Sequence, residues 1–338
     1  MFFAKVLTFV IAIIAIIATA AGVAHKQKHK KGELEVIDMS EQFSDVEHYM
    51  TSHLFSKEEQ KQHDKELKKQ QKEKAKQAKK AKSEDVKAEP RLFVVDFKGS
   101  IDAKEVDSLR EEISAILSVA TKDDEVLVRL ESGGGMVHGY GLASSQLDRI
   151  RQHEVPLTVA IDKVAASGGY MMACVADKIL SAPFAIVGSI GVIAQIPNFN
   201  KLLKKSNIEF EQLTAGEYKR TLTMFGENTE KGREKFVEEL EETHLLFKQF
   251  VSEHRPSLDI AKVATGEHWF GLKAKELGLV DSIQTSDDYL HAQAKDKKVI
   301  AVKYALKKGI AEKFGKAASL SFENVISKLW QNNRIFPS

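Results

Sequence analysis

Cysteine is almost absent from this chain: among 338 residues only Cys174 carries a thiol, so no disulfide can form within the chain. Cys174 lies in an apolar segment, which favours a buried and inert side chain. The sequence also lacks the CxxC, HExxH and Walker-type patterns that hold metals or nucleotide phosphates. We therefore expect no metal and no cofactor.

Net charge is small, at +2 for the whole chain, but the charges are unevenly distributed. Residues 61–82 carry a net charge of +7 and only one large apolar side chain, Leu67. Because such a stretch cannot bury an apolar face, it is predicted to be a solvated helix or a disordered linker. Docking onto anionic lipid is the alternative. No aromatic residue interleaves the lysines, which argues against nucleic acid as a partner.

Long apolar runs are also scarce, with one exception at residues 6–24, which contain no charge. At 1.5 Å per residue this run roughly matches the ~30 Å hydrocarbon core of a bilayer. A cleaved signal peptide is the alternative, but the run is longer than the usual apolar core of such a peptide, and lysines follow it closely. The run predicts a single-pass membrane anchor, with lipid as a partner. More lysines follow the run than precede it, which predicts a cytoplasmic location for the rest of the chain.

Short apolar segments and amphipathic segments alternate from Arg91 onward. This alternation predicts an α/β fold with largely parallel strands. The predicted boundaries are a membrane anchor with basic flank at 1–31, a charged stalk or linker at 32–90, a globular domain at 91–305 and a helical tail at 306–338. The predicted strands are 92–97, 126–130, 157–161, 178–181 and 190–194, with a strand-like stretch at 210–213, and the predicted helices are 106–117, 139–151, 168–176 and 229–254.

Ser167 follows a short strand and opens a helix of small residues. A hydroxyl at a helix N-terminus lies close to backbone N–H groups that can stabilise negative charge. Gly168 and Gly169 leave space for a substrate backbone. This setting is typical of a nucleophilic serine.

Three glycines, at 133–135, follow strand 126–130. A glycine loop after a strand suits an oxyanion hole, a phosphate cradle or a plain tight turn. The glycine spacing does not fit GxGxxG, and no Gly-Lys-Ser/Thr follows, which disfavours the phosphate cradle.

The residues alone do not identify a general base. None of the histidines lies in a recognisable Ser–His–acid context. A desolvated lysine can serve instead, although lysine has a pKa of ~10.4 in water. The candidate lysines are Lys163, Lys178 and Lys219, and the histidines considered are His138, His153, His244, His254 and His268.

Four ordered motifs resemble the S49 peptidases, the signal peptide peptidase A-like family of serine–lysine proteases, and the overall layout most resembles the SohB branch of that family. Residues 90–285 carry the resemblance. One departure is Gly133, where the family often has proline, which removes a constraint on the loop. The motifs are Ala166-Ser167-Gly168-Gly169-Tyr170, Gly188-Ser189-Ile190-Gly191-Val192, Gly216-Glu217-Tyr218-Lys219, and Thr265-Gly266 with Trp269-Phe270-Gly271, Ala274 and Gly278-Leu279-Val280-Asp281.

The resemblance implies a role for each matching residue. The expected roles are nucleophile for Ser167, general base for Lys219, orientation of the lysine for Ser189, oxyanion-hole amides for Gly134 and Gly168, and substrate binding for Gly133, Gly135 and Gly169. Such a mechanism needs a dry site around the lysine with no carboxylate close to it, so an inward-pointing Glu217 would oppose it.

The resemblance also implies the spiral α/β superhelix shared with Clp protease and crotonase enzymes. It implies a single-pass location in a bacterial inner (plasma) membrane, with active sites that face the periplasm. It also implies a homo-oligomeric ring in which adjacent subunits contribute serine and lysine. The expected substrates are short hydrophobic peptides, such as residual signal peptides, or misfolded envelope proteins. The alternatives are a catalytically silent membrane scaffold and a crotonase-like acyl-group enzyme. The periplasmic location conflicts with the lysine count, and the sequence leaves both open.

Overall fold

The computed structural model describes residues 32–56, 58–60, 65, 69 and 89–305. The predicted anchor, the C-terminal tail and most of the lysine-rich stalk lie outside these residues. Within them, no helix has the length and apolarity needed to cross a bilayer. The chain divides into a small unit, whose described residues are 32–35, 304 and 305, and a main unit at 36–303. In the small unit, the Gly32 N–H donates to Tyr304 Oη at 2.9 Å.

Helices and strands alternate along the main unit, as the sequence predicts. In chain order, the elements are β1 (Glu33–Asp38), α1 (Met39–Leu54), β2 (Arg91–Lys98), α2 (Val106–Leu117), β3 (Glu125–Glu131), α3 (Val137–Gln152), β4 (Leu157–Ile161), β5 (Val164–Ala166), α4 (Gly168–Ala173), β6 (Lys178–Ser181), β7 (Ile186–Gly188), α5 (Asn200–Lys205), α6 (Glu230–His254), α7 (Ile260–Val263), β8 (His268–Phe270), α8 (Gly271–Glu276), β9 (Ser282–Ile283), α9 (Ser286–Gln293) and β10 (Lys298–Ala305).

The larger sheet has seven strands in the order β1–β10–β2–β3–β4–β6–β9. The pairings from β10 through to β9 are parallel, which confirms the α/β prediction. All five residues of β4 are buried. Continuous apolar runs of this kind are expected where both faces of a parallel sheet are covered.

Side chains alternate between two cores because successive strand residues point to opposite faces. Phe93, Val95 and Phe97 join the larger core. Leu92 and Val94 join a smaller core with Tyr289 and Leu290 of α9, against which α1 packs Met39 and Phe43. The sheet is therefore a covered scaffold from which the loops of the site project.

A second sheet of three short strands, in the order β5–β7–β8, carries the residues around Ser167. β5 pairs with β7 in parallel, with Ala166 opposite Gly188, and β7 pairs with β8 in the antiparallel sense. An isolated bridge from Ser132 to Ala165 joins this sheet to the loop after β3. The glycine loop and the Ser167 turn are thereby held next to each other.

Most of the predicted strands coincide with observed ones, but two predictions are wrong. The strand expected at 190–194 lies earlier, at Ile186–Gly188, because Ser189 adopts a φ of 53° and turns the chain out of the sheet. The strand-like stretch at 210–213 forms no strand and its residues are exposed. The serine helix ends at Ala173, three residues before its predicted end.

Residues 192–228 form a long excursion between β7 and α6, which we call the arm. The only helix or strand that the structure describes in the arm is α5. Asn198 Nδ2 donates to the carbonyls of Thr223 and Gly226, and the Phe199 N–H donates to the carbonyl of Met224. These bonds hold the beginning of the arm against its end. Lys219 lies between the two bonded stretches in the sequence.

Candidate active site

Ser167 occupies a strained turn between β5 and α4. Its φ and ψ angles are 52° and −120°, in a region that serine rarely adopts. The Ser167 N–H donates to the Gly188 carbonyl at 2.8 Å, and its carbonyl accepts the Met171 N–H at 3.0 Å. A strained strand-to-helix turn of this kind presents the serine hydroxyl in the nucleophile elbow of α/β-hydrolases. The predicted nucleophile therefore has a suitable backbone setting.

The glycine loop lies against this turn. Gly134 has a φ of +86°, and a Cβ built on it would come within 2.7 Å of Ser167 Cβ and the Gly168 nitrogen. Only glycine fits this close approach. Ser132 fixes the start of the loop, since its N–H donates to the Val164 carbonyl at 2.9 Å and its carbonyl accepts the Ala166 N–H at 3.0 Å.

The two predicted oxyanion-hole amides differ in their partners. Gly168 is the first residue of α4, so its N–H has no acceptor within the helix. The Gly134 N–H donates to Ser132 Oγ at 3.1 Å. One predicted donor is therefore held by a neutral hydroxyl in this conformation.

The other three predicted glycines lie around the same loop. A Cβ on Gly169 would come within 2.5 Å of the Ser132 carbonyl, and one on Gly135 would clash with the Ile101 carbonyl. A Cβ on Gly133 would meet no atom within 4 Å. Gly169 and Gly135 therefore permit close packing, whereas Gly133 borders open space where a peptide can lie.

Ser189 lies beside Ser167 because Ala166 and Gly188, the residues before them, are paired in parallel register. Ser189 also has a positive φ, 53°, and its N–H donates to the Glu267 carbonyl at 2.7 Å. The structure thus brings the predicted nucleophile and the predicted orienting serine together.

Lys219 is not brought to this cluster within the chain. Its side chain is exposed on the arm, and its N–H donates to the Gly216 carbonyl at 3.2 Å. In the part of the chain that the structure describes, no hydrogen bond or ion pair joins Lys219 to Ser167 or Ser189. Lys219 instead borders an open cavity of about 870 Å³ in the arm, whose other lining includes Phe210, Leu213 and Phe225.

Glu217 is engaged elsewhere. Its carboxylate forms an ion pair with Lys231 of α6, and the hydrogen bond from Lys231 lowers the pKa of Glu217. Lys231 and Lys235 also lie over the ring of Tyr218, at 5.7 Å and 5.8 Å from its centre. These contacts fix the segment before Lys219 to α6 and occupy the carboxylate nearest to it in sequence.

The histidines offer no triad in the described residues. His153 Nδ1 and His254 Nδ1 each bond to a carbonyl one turn earlier in the chain, at 2.8 Å and 2.9 Å. His254 Nε2 also lies 3.6 Å from Asp148 Oδ1, but no serine hydroxyl is bonded to this ring in the described residues. His268 lies opposite Gly188 in β8, exposed and with no acid bonded to its ring in that part of the chain. No cluster of potential metal ligands occurs among the described residues. Cys174 is buried, as expected, and burial raises the pKa of its thiol.

Sequence reasoning missed two residues that shape this site. Tyr140 of α3 contacts the loop through a hydroxyl bond to Ser132, and the Glu267 carbonyl fixes Ser189. Tyr140 lies five residues after Gly135, and Glu267 lies within the fourth motif, but no residue pattern in the sequence marks either contact.

Comparisons with known proteins cover most of the chain. The family model "Peptidase family S49 N-terminal" matches residues 1–147, and "Peptidase family S49" matches residues 149–300. The "Probable protease SohB" of Haemophilus influenzae is 55% identical over 97% of this chain and 94% of its own length. Its namesake in Buchnera aphidicola subsp. Acyrthosiphon pisum is 60% identical over 71% of each chain.

Solved structures give a weaker match. The 1510-N membrane-bound stomatin-specific protease, in a mutant complexed with a substrate peptide, is 13% identical. The match covers 68% of this chain and 97% of the chain of the stomatin-specific protease, with a TM-score of 0.42.

Proposed function

Because the chain belongs to peptidase family S49, we propose that it is a serine endopeptidase in which Ser167 is the nucleophile and Lys219 is the general base. The observation that carries the assignment of Ser167 is its strained turn, packed directly against Gly134 and Gly168. A nucleophile needs a nearby group that stabilises the oxyanion, and backbone N–H groups of glycines supply one.

The proposed reaction begins when the neutral amine of Lys219 takes the proton of Ser167 Oγ as this oxygen attacks a peptide carbonyl. The developing oxyanion accepts hydrogen bonds from the N–H groups of Gly168 and Gly134. The Lys219 ammonium then gives its proton to the leaving amine. The neutral amine of Lys219 next takes a proton from water, and the resulting hydroxide attacks the acyl-enzyme. Lys219 then returns this proton to Ser167 Oγ as the acid product leaves. Ser189 orients the lysine.

We propose that Lys219 acts on Ser167 of a neighbouring copy in a homo-oligomer. The arm exposes Lys219 among apolar side chains, including Leu213, which is 85% exposed, and Ile193, which is 79% exposed. Monomeric proteins rarely leave such apolar patches uncovered. Burial of the arm against a second copy would also remove water from the amine, which favours its neutral form.

The family resemblance extends the proposal to the fold, the membrane and the substrate. The fold is proposed to be the spiral superhelix shared with Clp protease and crotonase enzymes. Residues 6–24 are proposed to anchor the chain in lipid of the inner membrane, and the substrates to be short hydrophobic peptides or misfolded envelope proteins. Protease digestion of intact spheroplasts, with and without detergent, decides whether the main unit is periplasmic or cytoplasmic.

The deciding experiment measures casein hydrolysis by the detergent-solubilised full-length protein. The variants are Ser167→Ala, Lys219→Ala and an equimolar mixture of the two, with Lys201→Ala as a control for loss of an exposed arm lysine. We expect activity to be lost in each single variant, retained in Lys201→Ala and partly restored on mixing, because some sites then combine an intact serine with an intact lysine. Unchanged activity in Lys219→Ala would exclude the lysine base. If activity is lost in both single variants and is not restored when they are mixed, the active site is not shared between copies.

A further inference from the structure

One buried side chain borders one predicted oxyanion-hole donor and is linked to the other through Ser132. Tyr140 of α3 is fully buried, and its ring fills the space beside Gly168, where any Cβ would clash with it. Its hydroxyl lies 2.5 Å from Ser132 Oγ, which in turn accepts the N–H of Gly134. The ring therefore borders one donor, and the hydroxyl reaches the other through one residue.

The direction of this hydroxyl chain follows from the available protons. Tyr140 Oη donates its one proton to the Ser100 carbonyl at 2.9 Å. Burial raises the pKa of Tyr140, so the hydroxyl keeps that proton. Ser132 must then donate to Tyr140 Oη, which leaves its own lone pairs for the Gly134 N–H. The chain runs from Gly134 through Ser132 and Tyr140 to Ser100, with every polar group satisfied.

We propose that Tyr140 is a positioning residue of the oxyanion hole, setting Gly168 through its ring and Gly134 through Ser132. This inference rests on the proposed function. Donors contribute most when they are already aimed at the site where charge develops. Through its bond to Tyr140, Ser132 restricts the position of the Gly134 N–H before substrate arrives, so that only a small turn of this N–H is needed to reach the oxyanion. The N–H then exchanges a neutral hydroxyl acceptor for an oxyanion, and such charge-assisted bonds are stronger.

A purely structural role for Tyr140 makes a different prediction. The Tyr140 ring also meets Phe97 edge-on, with 6.5 Å between ring centres, so it fills core volume. Phenylalanine would serve that packing role equally well. Removal of the hydroxyl alone therefore separates positioning from packing.

The matched control is Tyr170 of α4, which is also fully buried and donates its hydroxyl to a carbonyl, that of Leu279, at 2.9 Å. Tyr140→Phe and Tyr170→Phe each remove one buried hydroxyl and leave one carbonyl without its donor. Only the first also releases Ser132 and the Gly134 N–H.

The first measurement is kcat and KM for peptide hydrolysis by the full-length protein, together with the rate of labelling by a fluorophosphonate. Loss of a whole oxyanion-hole donor costs about 10²–10³ in kcat, so a misplaced donor is expected to cost about tenfold or more. We expect this loss in Tyr140→Phe at unchanged KM, and no such loss in Tyr170→Phe. Ser132→Ala should match Tyr140→Phe, and the double variant should lose no more than either, because both act through one chain.

A kcat for Tyr140→Phe within about twofold of that for Tyr170→Phe would overturn the proposal. If Tyr140→Phe does not fold, Ser132→Ala decides by the same criterion. A wild-type protein that neither hydrolyses peptides nor labels at Ser167 would instead refute the proposed function. In that case amide hydrogen exchange decides: faster exchange at Gly134 in Tyr140→Phe than in Tyr170→Phe supports the positioning role, and equal exchange overturns it.

Discussion

The surroundings of Ser167 and the arm that carries Lys219 are built in opposite ways. Around Ser167, short strands, a glycine loop and buried hydroxyls fix the backbone, and most neighbouring side chains are buried. In the arm, α5 is the one described helix or strand, and large apolar side chains face outward. The region around Ser167 is therefore complete within one chain, whereas the arm has apolar surface that the described residues leave uncovered.

This difference separates the two requirements of the proposed serine–lysine site. A serine in a strained turn needs rigid surroundings that maintain its conformation. A lysine base needs removal from water, and an exposed arm acquires that only on contact with another surface. Substitutions near Ser167 should therefore change chemistry in each subunit, and substitutions in the arm should change assembly first.

The largest expected effect is that of Gly134→Ala. The new methyl group would lie 2.7 Å from Ser167 Cβ at a φ of +86°, so either the loop or the Ser167 turn must move. We expect a loss of at least about 10²-fold in fluorophosphonate labelling, comparable to loss of an oxyanion-hole donor. Gly141→Ala is the control, because a Cβ at Gly141 would meet no atom within 4 Å. Equal labelling of the two variants would show that the loop does not support Ser167.

The second prediction concerns stability of the sheet scaffold. Burial alone would raise the pKa of Asp124, but hydrogen bonds from Arg91 and Thr121 outweigh it and lower the pKa to about 2. A lowered pKa adds stability above the unfolded value near pH 4, and this stability is lost as the pH falls towards 2. Asp124→Asn should lower the free energy of unfolding by about 2 kcal/mol at pH 7.

Denaturant titrations of the wild type and Asp124→Asn at pH 7 and pH 2 test this prediction, and the difference should nearly vanish at pH 2. Asp96→Asn is a useful control, because its ion pair with Arg129 is more exposed. A difference that stays constant with pH would mean that Asp124 acts through packing and not through its charge. Assembly should be unaffected by either variant.

The third prediction concerns the arm, where a substitution should change assembly and leave the stability of the subunit unchanged. Leu213→Asp puts a charge on the most exposed large apolar side chain of the described residues, so we expect each subunit to keep its fold, as measured by circular dichroism. Sedimentation should show dissociation of the oligomer, with activity reduced about tenfold, since a charge in an apolar interface costs more than 1.4 kcal/mol. Val119→Asp, at an exposed position after α2, should alter neither assembly nor activity. A stable, active oligomer in Leu213→Asp would exclude this side chain from the interface.

The sequence predicts the scaffold better than the arm, for a physical reason. Strands such as 157–161 are apolar except for Thr158 and are buried on both faces, so their pattern alone identifies them. Residues 190–194 are also mostly apolar, yet the turn at Ser189 directs the chain out of the sheet before them, and residues 210–213 form no strand. The motifs likewise predict which residues surround Ser167, but not that the Gly134 N–H is bonded to Ser132. Such bonds depend on packing between distant segments, which local patterns do not report.

The smallest expected effect probes the link between the two regions. Lys231 holds the Glu217 carboxylate, so Lys231→Ala releases a negative charge two residues from Lys219. A free carboxylate nearby favours the protonated amine, and a protonated amine cannot accept the Ser167 proton. We expect the acid limb of the pH–activity profile to move to higher pH by a fraction of a unit, and a second substitution, Glu217→Gln, to reverse the shift. Lys235→Ala, on the same helix but paired with Glu238, should leave the profile unchanged. An equal shift in Lys235→Ala would mean that the effect comes from general loss of positive charge on α6. A shift that persists when Glu217→Gln is added would mean that the Glu217 carboxylate does not affect the protonation of the base.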